Sequence, residues 1–504
     1  MLYNFYMSFL NYNSMRYFYN NFLGTSPNYY KLLIILFLII NPIIFHYYDP
    51  FVAGWFLLVE FIFTLAMSLT VYPLQSGGLL AIEAVFIGMT TTDHVFTEIE
   101  NNLPVLLLLV FMVSGIFFIK DLLLYIFSHV LVKIRSKVYV SLLFFFLSCF
   151  LSAFLDALTV IAVIITVMIT FISSMKENSE NYSFSDQDVS QFYAFLRSLC
   201  MHAAVGTAVG GLCTKVGEPQ NLIIAKEAGW DFLEFFLRVS PLAVPIFSIC
   251  VLICLCLEFF GFLDFGAKMP ESIRSFFNDY VSNINTNRTP EEYAKLCSQG
   301  LVALWLVIAL SFHLAAVGII GLSIIVLATS FCGVITEHEV GKSFEESLPF
   351  TCLLVVFFVI ICVVVDQSLF KPVFKKAMSY DGNNMYSMFY LFNGLLSVVS
   401  DNVFVGAVYV NEAKRALDAN LITVGEFNNI AVMINVGTNI PSIATPNGQA
   451  GFLFLLTSSL SSIINLNYLR MVLLALPYSV LMSSLVFILI DSGYFAYASS
   501  LVFG

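Results

Sequence analysis

Charge is scarce in this chain. Only 11% of its 504 residues are Asp, Glu, Lys or Arg, while 59% are hydrophobic. Soluble domains carry roughly a quarter charged residues, so this chain has too few to cover a water-facing surface. Metal-binding spacings are missing as well. There is no CxxC pair, and Glu337-His338-Glu339 lacks the second histidine of HExxH. The 10 cysteines lie mostly inside apolar runs and read as small core residues. No nucleophile–base constellation or cofactor motif occurs, which argues against an enzyme and against a bound cofactor. With a net charge of −11 and no Lys/Arg cluster beside an aromatic platform, nucleic acid is not expected as a partner. The order of a secretory signal is also missing. Residues 1–30 read as an aromatic, polar N-terminal segment that fits a membrane interface, and equally an AT-rich coding sequence.

Long apolar runs are what the chain has instead. They recur at 32–40, 105–118, 160–172, 353–365 and 472–490, and the last of them has the roughly 18–20 residues that cross a hydrocarbon core as a helix. The short alternating segments of a membrane barrel do not appear. The expected class is an all-α polytopic membrane protein, with the bilayer itself as a partner. A polar stretch at 264–298 reads as a linker between a first membrane half, 31–263, and a second, 299–504. Basic clusters at Lys133/Arg135/Lys137, Lys371/Lys375/Lys376 and Lys414/Arg415 would lie in the cytoplasm by the positive-inside rule.

The two halves contain a repeat. Leu151-Ser152-x-x-x-Asp156 is matched by Leu396-Ser397-x-x-x-Asp401. Val205-Gly206-Thr207, followed by Thr214, is matched by Val436-Gly437-Thr438, followed by Thr445. Repeated halves are the usual plan of a secondary transporter, whose site lies at the bilayer midplane among interrupted helices. The interruptions are present. Thr214, Gly217, Glu218, Pro219 and Asn221 break one apolar span (about 196–225). Thr445, Pro446, Asn447 and Gly448 break another (about 428–464). Pro removes a backbone donor and Gly permits an unwound course, leaving carbonyl, hydroxyl and amide oxygens that suit a small hard cation. A Pro-kinked packing helix is the blander alternative.

Asp156 sits mid-way along 139–172, a run with no other charge. Two helices folded back at Ser152–Asp156 would fit this run (hairpin about 138–172), as would one oblique helix; the second hairpin would be about 387–412. A carboxylate at the bilayer centre costs about 2.5–3.5 kcal/mol, so Asp156 and Asp401 are candidate ion sites, with helix capping as the alternative. Ser152, Ser397 and Asn402 flank them. A partly desolvated carboxylate lets a proton and a metal cation compete for the same oxygens, which is what cation exchange needs. Glu218 is a third candidate, unless Lys215 ties it into a structural ion pair. His313 is a candidate pH sensor or a packing residue. Glu60, Glu83, Glu258 and Asp366 are further ionisable residues in or near apolar spans.

At these residues the chain resembles the NhaB-type bacterial sodium/proton antiporters, within an ion-transporter superfamily that includes dicarboxylate and arsenite carriers. The resembling strings are 51–55, 78–90, 151–159, 216–230, 393–405 and 444–458. The resemblance implies a multi-pass inner-membrane exchanger of Na+, and Li+, for H+. It further implies a homodimer of chains built from two inverted repeats, each with a re-entrant hairpin tipped by Asp156 or Asp401 and one broken helix. Na+ would bind at Asp156 and Asp401. Lys215 and Ala316 depart from the family's pattern. A Na+-coupled symporter of small dicarboxylate-like anions is the alternative within the superfamily, and aspartates at both hairpin tips speak against it.

Overall fold

The computed structural model of the chain describes residues 12–177, 184–345 and 347–503. Residues 1–11 of the N-terminal segment and residues 178–183 lie outside them. Every described element is a helix. Among the described residues, 7 helices are long and apolar enough to cross a membrane, or 8 when Thr92–Asn101 and Leu103–Phe117 count as one broken span. The chain is an all-α, multi-pass membrane protein.

Two compact units are present. One takes the chain through Ile99 together with Cys352–Leu369, and the other takes the remainder. In the first, helices α1 (Asn28–Tyr47), α2 (Pro50–Ala66) and α3 (Pro73–Phe86) form a bundle. Helix α2 starts where Asp49 Oδ1 accepts from Val52 N at 2.9 Å and Pro50 supplies a preset φ. In α1 the buried residues Tyr30, Ile34 and Asn41 recur at helical spacing on one stripe. Leu32, Leu36, Ile39 and Ile43 make an exposed apolar stripe suited to lipid.

The second unit holds both copies of the repeat. In the first copy, α4 (Lys137–Ser152) and α5 (Ala157–Glu177) are joined by the turn at 153–156, so a single oblique helix is excluded. Helix α6 (Asp186–Leu212) breaks before α7 (Pro219–Ala228), and α8 (Phe232–Phe260) follows. In the second copy, α9 (Asn383–Ser397) and α10 (Asn402–Asp418) are joined through 398–401. Helix α11 (Val424–Asn439) breaks before α12 (Ala450–Thr457), and α13 (Tyr468–Asp491) follows. The polar stretch at 264–298 holds a helix, Glu271–Asn287, whose Phe277 ring lies 4.5 Å from that of Phe171.

Equivalent residues make equivalent contacts. Helix α6 is buried at every residue from 195 to 212 and lies hard against α4. A Cβ on Gly206 would stand 2.6 Å from the Phe145 carbonyl oxygen, and one on Gly210 only 1.9 Å from that of Cys149. In the second copy a Cβ on Gly437 would stand 3.0 Å from the carbonyl oxygen of Tyr390, the counterpart of Phe145. There the close approach one turn on is reversed: Gly394 makes room for Pro441, whose Cγ would be 2.7 Å from its Cβ. Glycine lets two helix axes approach to backbone contact, and each copy spends its glycines on the same pair of helices.

Candidate functional site

Each broken helix is pinned to the turn of its own copy. The Thr214 hydroxyl donates to the Ala153 carbonyl, and the Thr445 hydroxyl to that of Val398. The same two hydroxyls accept from the backbone N–H of Gly217 and Gly448, each at 3.2 Å. Gly217 is wedged so that a Cβ would meet Gly211 O at 2.5 Å and Ser152 O at 2.7 Å. Gly448 is wedged against Ser397 O and Ser442 O, both at 2.6 Å. Pro219 opens α7 at its first helical position, with Glu218 as the preceding residue, while Pro446 is buried in the second break. The threonines and glycines are therefore struts that hold each break against its turn.

Three carboxylates meet at these breaks. Asp156, Glu218 and Asp401 line one small cavity with Asn402, Gln220, Phe350 and Ala450, leaving about 10 Å³ for the centre of a water-sized occupant. Asp401 caps α10, its Oδ1 accepting from Val403 N at 2.8 Å and Phe404 N at 3.4 Å. Asp156 holds the matching place before α5, facing the N–H groups of Ala157, Leu158 and Thr159. Capping and cavity lining thus fall to the same residues. Asp156 and Glu218 are buried (5% and 4% exposed), and no Lys or Arg among the described residues lies within ion-pair distance of any of the three. The Lys215–Glu218 ion pair is not formed. The charge acting on Lys215 is that of Asp231.

Four residues lining the cavity have a buried oxygen without a hydrogen-bond partner, namely Asp156 Oδ2, Glu218 Oε1, Gln220 Oε1 and Asn402 Oδ1, and so do the hydroxyls of Ser152, Thr159, Ser397 and Ser400 in or beside the two turns. Native interiors leave few polar atoms unsatisfied, so such a concentration needs an explanation. No three His, Cys, Asp or Glu side chains among the described residues stand close enough to hold a metal ion together. Of the remaining sequence candidates, Asn221 repairs the first break by donating to Gly211 O and Thr214 O, both at 2.8 Å. Asn447 sits half-buried in the second break, and His313 lies apart from the cavity, in an exposed turn after Ser311 with φ +52°.

A profile described as "Bacterial Na+/H+ antiporter B (NhaB)" matches residues 10–501. The chain belongs to the NhaB family. It is 56% identical to the "Na(+)/H(+) antiporter NhaB" of Proteus mirabilis over 478 residues, 92% of this chain and 93% of that one. The proteins of that name from Yersinia pestis (55% over 476 residues; 92% and 91% of the two chains) and Photorhabdus laumondii (54% over 477; 92% and 93%) are similarly related.

Two features of this NhaB chain escaped sequence reasoning. One is an amide network joining the two breaks. Asn439 Nδ2 donates to Asn435 Oδ1 at 2.8 Å and faces Asn221 Oδ1 at 3.5 Å. Gln220 Nε2 donates to Asn439 Oδ1 at 3.3 Å, and Gln449 Nε2 to Asn439 O at 3.0 Å. Two asparagines four residues apart in the apolar α11 were the available signal. The other is a buried cluster around Glu258. Its Oε1 accepts from His202 Nε2 at 2.7 Å and Ser141 Oγ at 3.0 Å and pairs with Lys137 Nζ at 3.3 Å. Its Oε2 accepts from Gly266 N at 2.9 Å. Lys137 is thus buried inside the unit, apart from any solvated cluster with Lys133 and Arg135.

Proposed function

We propose that this chain exchanges Na+ for H+ across the bacterial inner membrane, and that Asp156, Asp401 and Glu218 carry the exchanged ions. One observation carries the reading: three carboxylates without a basic partner line one cavity of single-ion size between two matched helix breaks. Three carboxylates that line one cavity away from any basic partner favour taking up protons or a cation over being ionised together. The site therefore cycles between protons and a metal cation and does not return empty. The Ser152, Ser397 and Asn402 oxygens and the carbonyls freed at the breaks complete a hard-oxygen shell for Na+ or Li+. The names of the relatives support Na+ and H+. Alternating access follows from two inverted repeats with re-entrant hairpins, moved against a homodimer's fixed parts. A dicarboxylate symporter is disfavoured by the cavity's size and by its three acids.

The test uses inverted vesicles from an antiporter-deficient host with an acid interior. Na+ or Li+ is expected to dissipate the gradient, and Asp156→Asn and Asp401→Asn to abolish this at normal expression. Dissipation by both variants at the wild-type rate would remove the carboxylates from the mechanism. Na+-driven uptake of a dicarboxylate without dissipation would replace exchange with symport.

A further inference from the structure

The other compact unit has its own acidic pair. Glu60 on α2 is buried and Glu83 on α3 half-buried, and both approach one side chain, Asn41 of α1. Asn41 Nδ2 donates to Glu60 Oε2 at 2.7 Å and to Glu83 Oε2 at 3.0 Å. Asn41 occupies the buried stripe of α1 and is itself 0% exposed, yet its Oδ1 has no partner. A clip that merely joined three helices would have its acceptor satisfied, because an orphaned buried acceptor costs about 1–3 kcal/mol. The next residue, Pro42, has no N–H to give to the Leu38 carbonyl, so α1 also carries a freed backbone oxygen at this level.

Glu60 and Glu83 repel each other, and among the described residues no Lys, Arg or His lies within ion-pair distance of either. Of the basic residues on α1, Lys31 is bound to the carbonyls of Tyr19, Asn20 and Gly24, and His46 is exposed. Two carboxylates among apolar helices, one amide and no base make a site short of a cation.

We propose that Asn41, Glu60 and Glu83 form a second binding site, for a small hard monovalent cation such as Na+ or Li+. The cation sits between the two carboxylates in competition with protons. Turning the Asn41 amide over exchanges its donor for Oδ1, which completes the ligand set when the metal is bound. The site shares no residue with the Asp156/Asp401 cavity and does not depend on the reading given to it.

Dicyclohexylcarbodiimide, an apolar reagent that modifies protonated carboxyls, tests this on the purified full-length protein, with adducts on Glu60 and Glu83 quantified by peptide mass spectrometry. Na+ is expected to slow labelling relative to choline at equal ionic strength by one plus its concentration over Kd, about tenfold at nine times Kd. The protection should persist in the Asp156→Asn/Asp401→Asn protein and be lost in Asn41→Leu, which still labels. Equal rates in Na+ and choline would overturn the site, as would absence of adduct at every pH. Protection that disappears with Asp156 and Asp401, or survives Asn41→Leu, would overturn it too.

Discussion

Replacing Glu258 by Gln removes a charge without changing shape, and the structure sets the cost. The carboxylate holds four donors: Lys137, Ser141 and His202 on one oxygen and the Gly266 N–H on the other. Gln keeps one acceptor and turns an N–H₂ toward whatever faced the second. At least one buried donor then loses its partner, which costs about 1–3 kcal/mol. The larger loss is electrostatic. The Lys137 side chain is 4% exposed, and the Ser198 hydroxyl and the Phe195 ring, both uncharged, remain beside its ammonium. Stranding one partner of a buried pair costs about 3–5 kcal/mol. Expressed in the unfolding barrier, that speeds irreversible heat inactivation by about two to four powers of ten. The assay is the fraction of detergent-purified protein surviving a timed heat step, read by size-exclusion chromatography. Lys137→Met combined with Glu258→Gln should recover at least half of the loss, because removing both charges removes the stranded one. Inactivation of Glu258→Gln within threefold of wild type, or a double variant no better than the single, would refute the reasoning.

Gly217→Ala and Gly448→Ala each drive a Cβ into backbone oxygens at 2.5–2.7 Å, which cannot swing away. Overpacking of this kind costs about 1–3 kcal/mol, and exchange in vesicles should fall in both variants; undiminished exchange in either would show that its break tolerates a wider turn. Asn439→Leu strips the amide network of its hub, leaving the Gln220 amide short of an acceptor and Asn435 Oδ1 short of a donor, so its heat survival should fall by more than that of Asn221→Leu, which removes the donor of a single break. Equal losses would count against the hub. Acid sensitivity should come partly from Asp264, in the loop after α8. Burial favours its neutral form, but the hydrogen bonds and charges of Arg197 and Arg470 outweigh this and hold its carboxyl below the usual range. A lowered folded value contributes stability that is complete above the unfolded value of about 3.9 and is lost as pH falls through the folded one. Heat survival should therefore drop below about pH 4, and Asp264→Asn should flatten that limb; an unchanged limb would assign the drop to other groups.

What was legible in the sequence was what local chemistry marks. An acid in a long apolar run, and Gly, Pro and Thr clustered inside a span, announce themselves because the surrounding residues cannot solvate them. The Asp156 and Asp401 turns, the Thr214 and Thr445 breaks and the all-α membrane class were accessible for that reason. Partner identity was not. Lys215 follows Thr214 directly and is three residues from Glu218, yet the two do not pair, because the break turns Glu218 into the cavity. Lys137 lies in an apparent basic cluster, yet α4 carries it inward to an acid from α8. The first unit draws residues 352–369 from more than 250 positions away, and no short-range pattern reports such a join.

The departures from symmetry say most about how the site works. Aligned on their threonines and glycines, the two breaks place Glu218 opposite Gln449, an acid in one copy and an amide in the other. The aspartates at 156 and 401 are matched, so the third carboxylate belongs to one copy alone. Gln449 is bonded to Asn439 and Ser442 and does not line the cavity, whereas Glu218 does and leaves Oε1 without a partner. A perfectly symmetric site would present two acids, which one Na+ and one proton would neutralise. The extra acid requires one further positive charge before the cavity is neutral. The charges of both aspartates reach Glu218, so the ionisation of the three carboxyls is coupled. If Glu218 takes part in exchange, Glu218→Gln removes one exchangeable charge per cycle. The dependence of Na+-driven exchange on membrane potential should then change in slope while exchange itself persists. A slope identical to wild type would make Glu218 a fixed, permanently protonated member of the cavity wall.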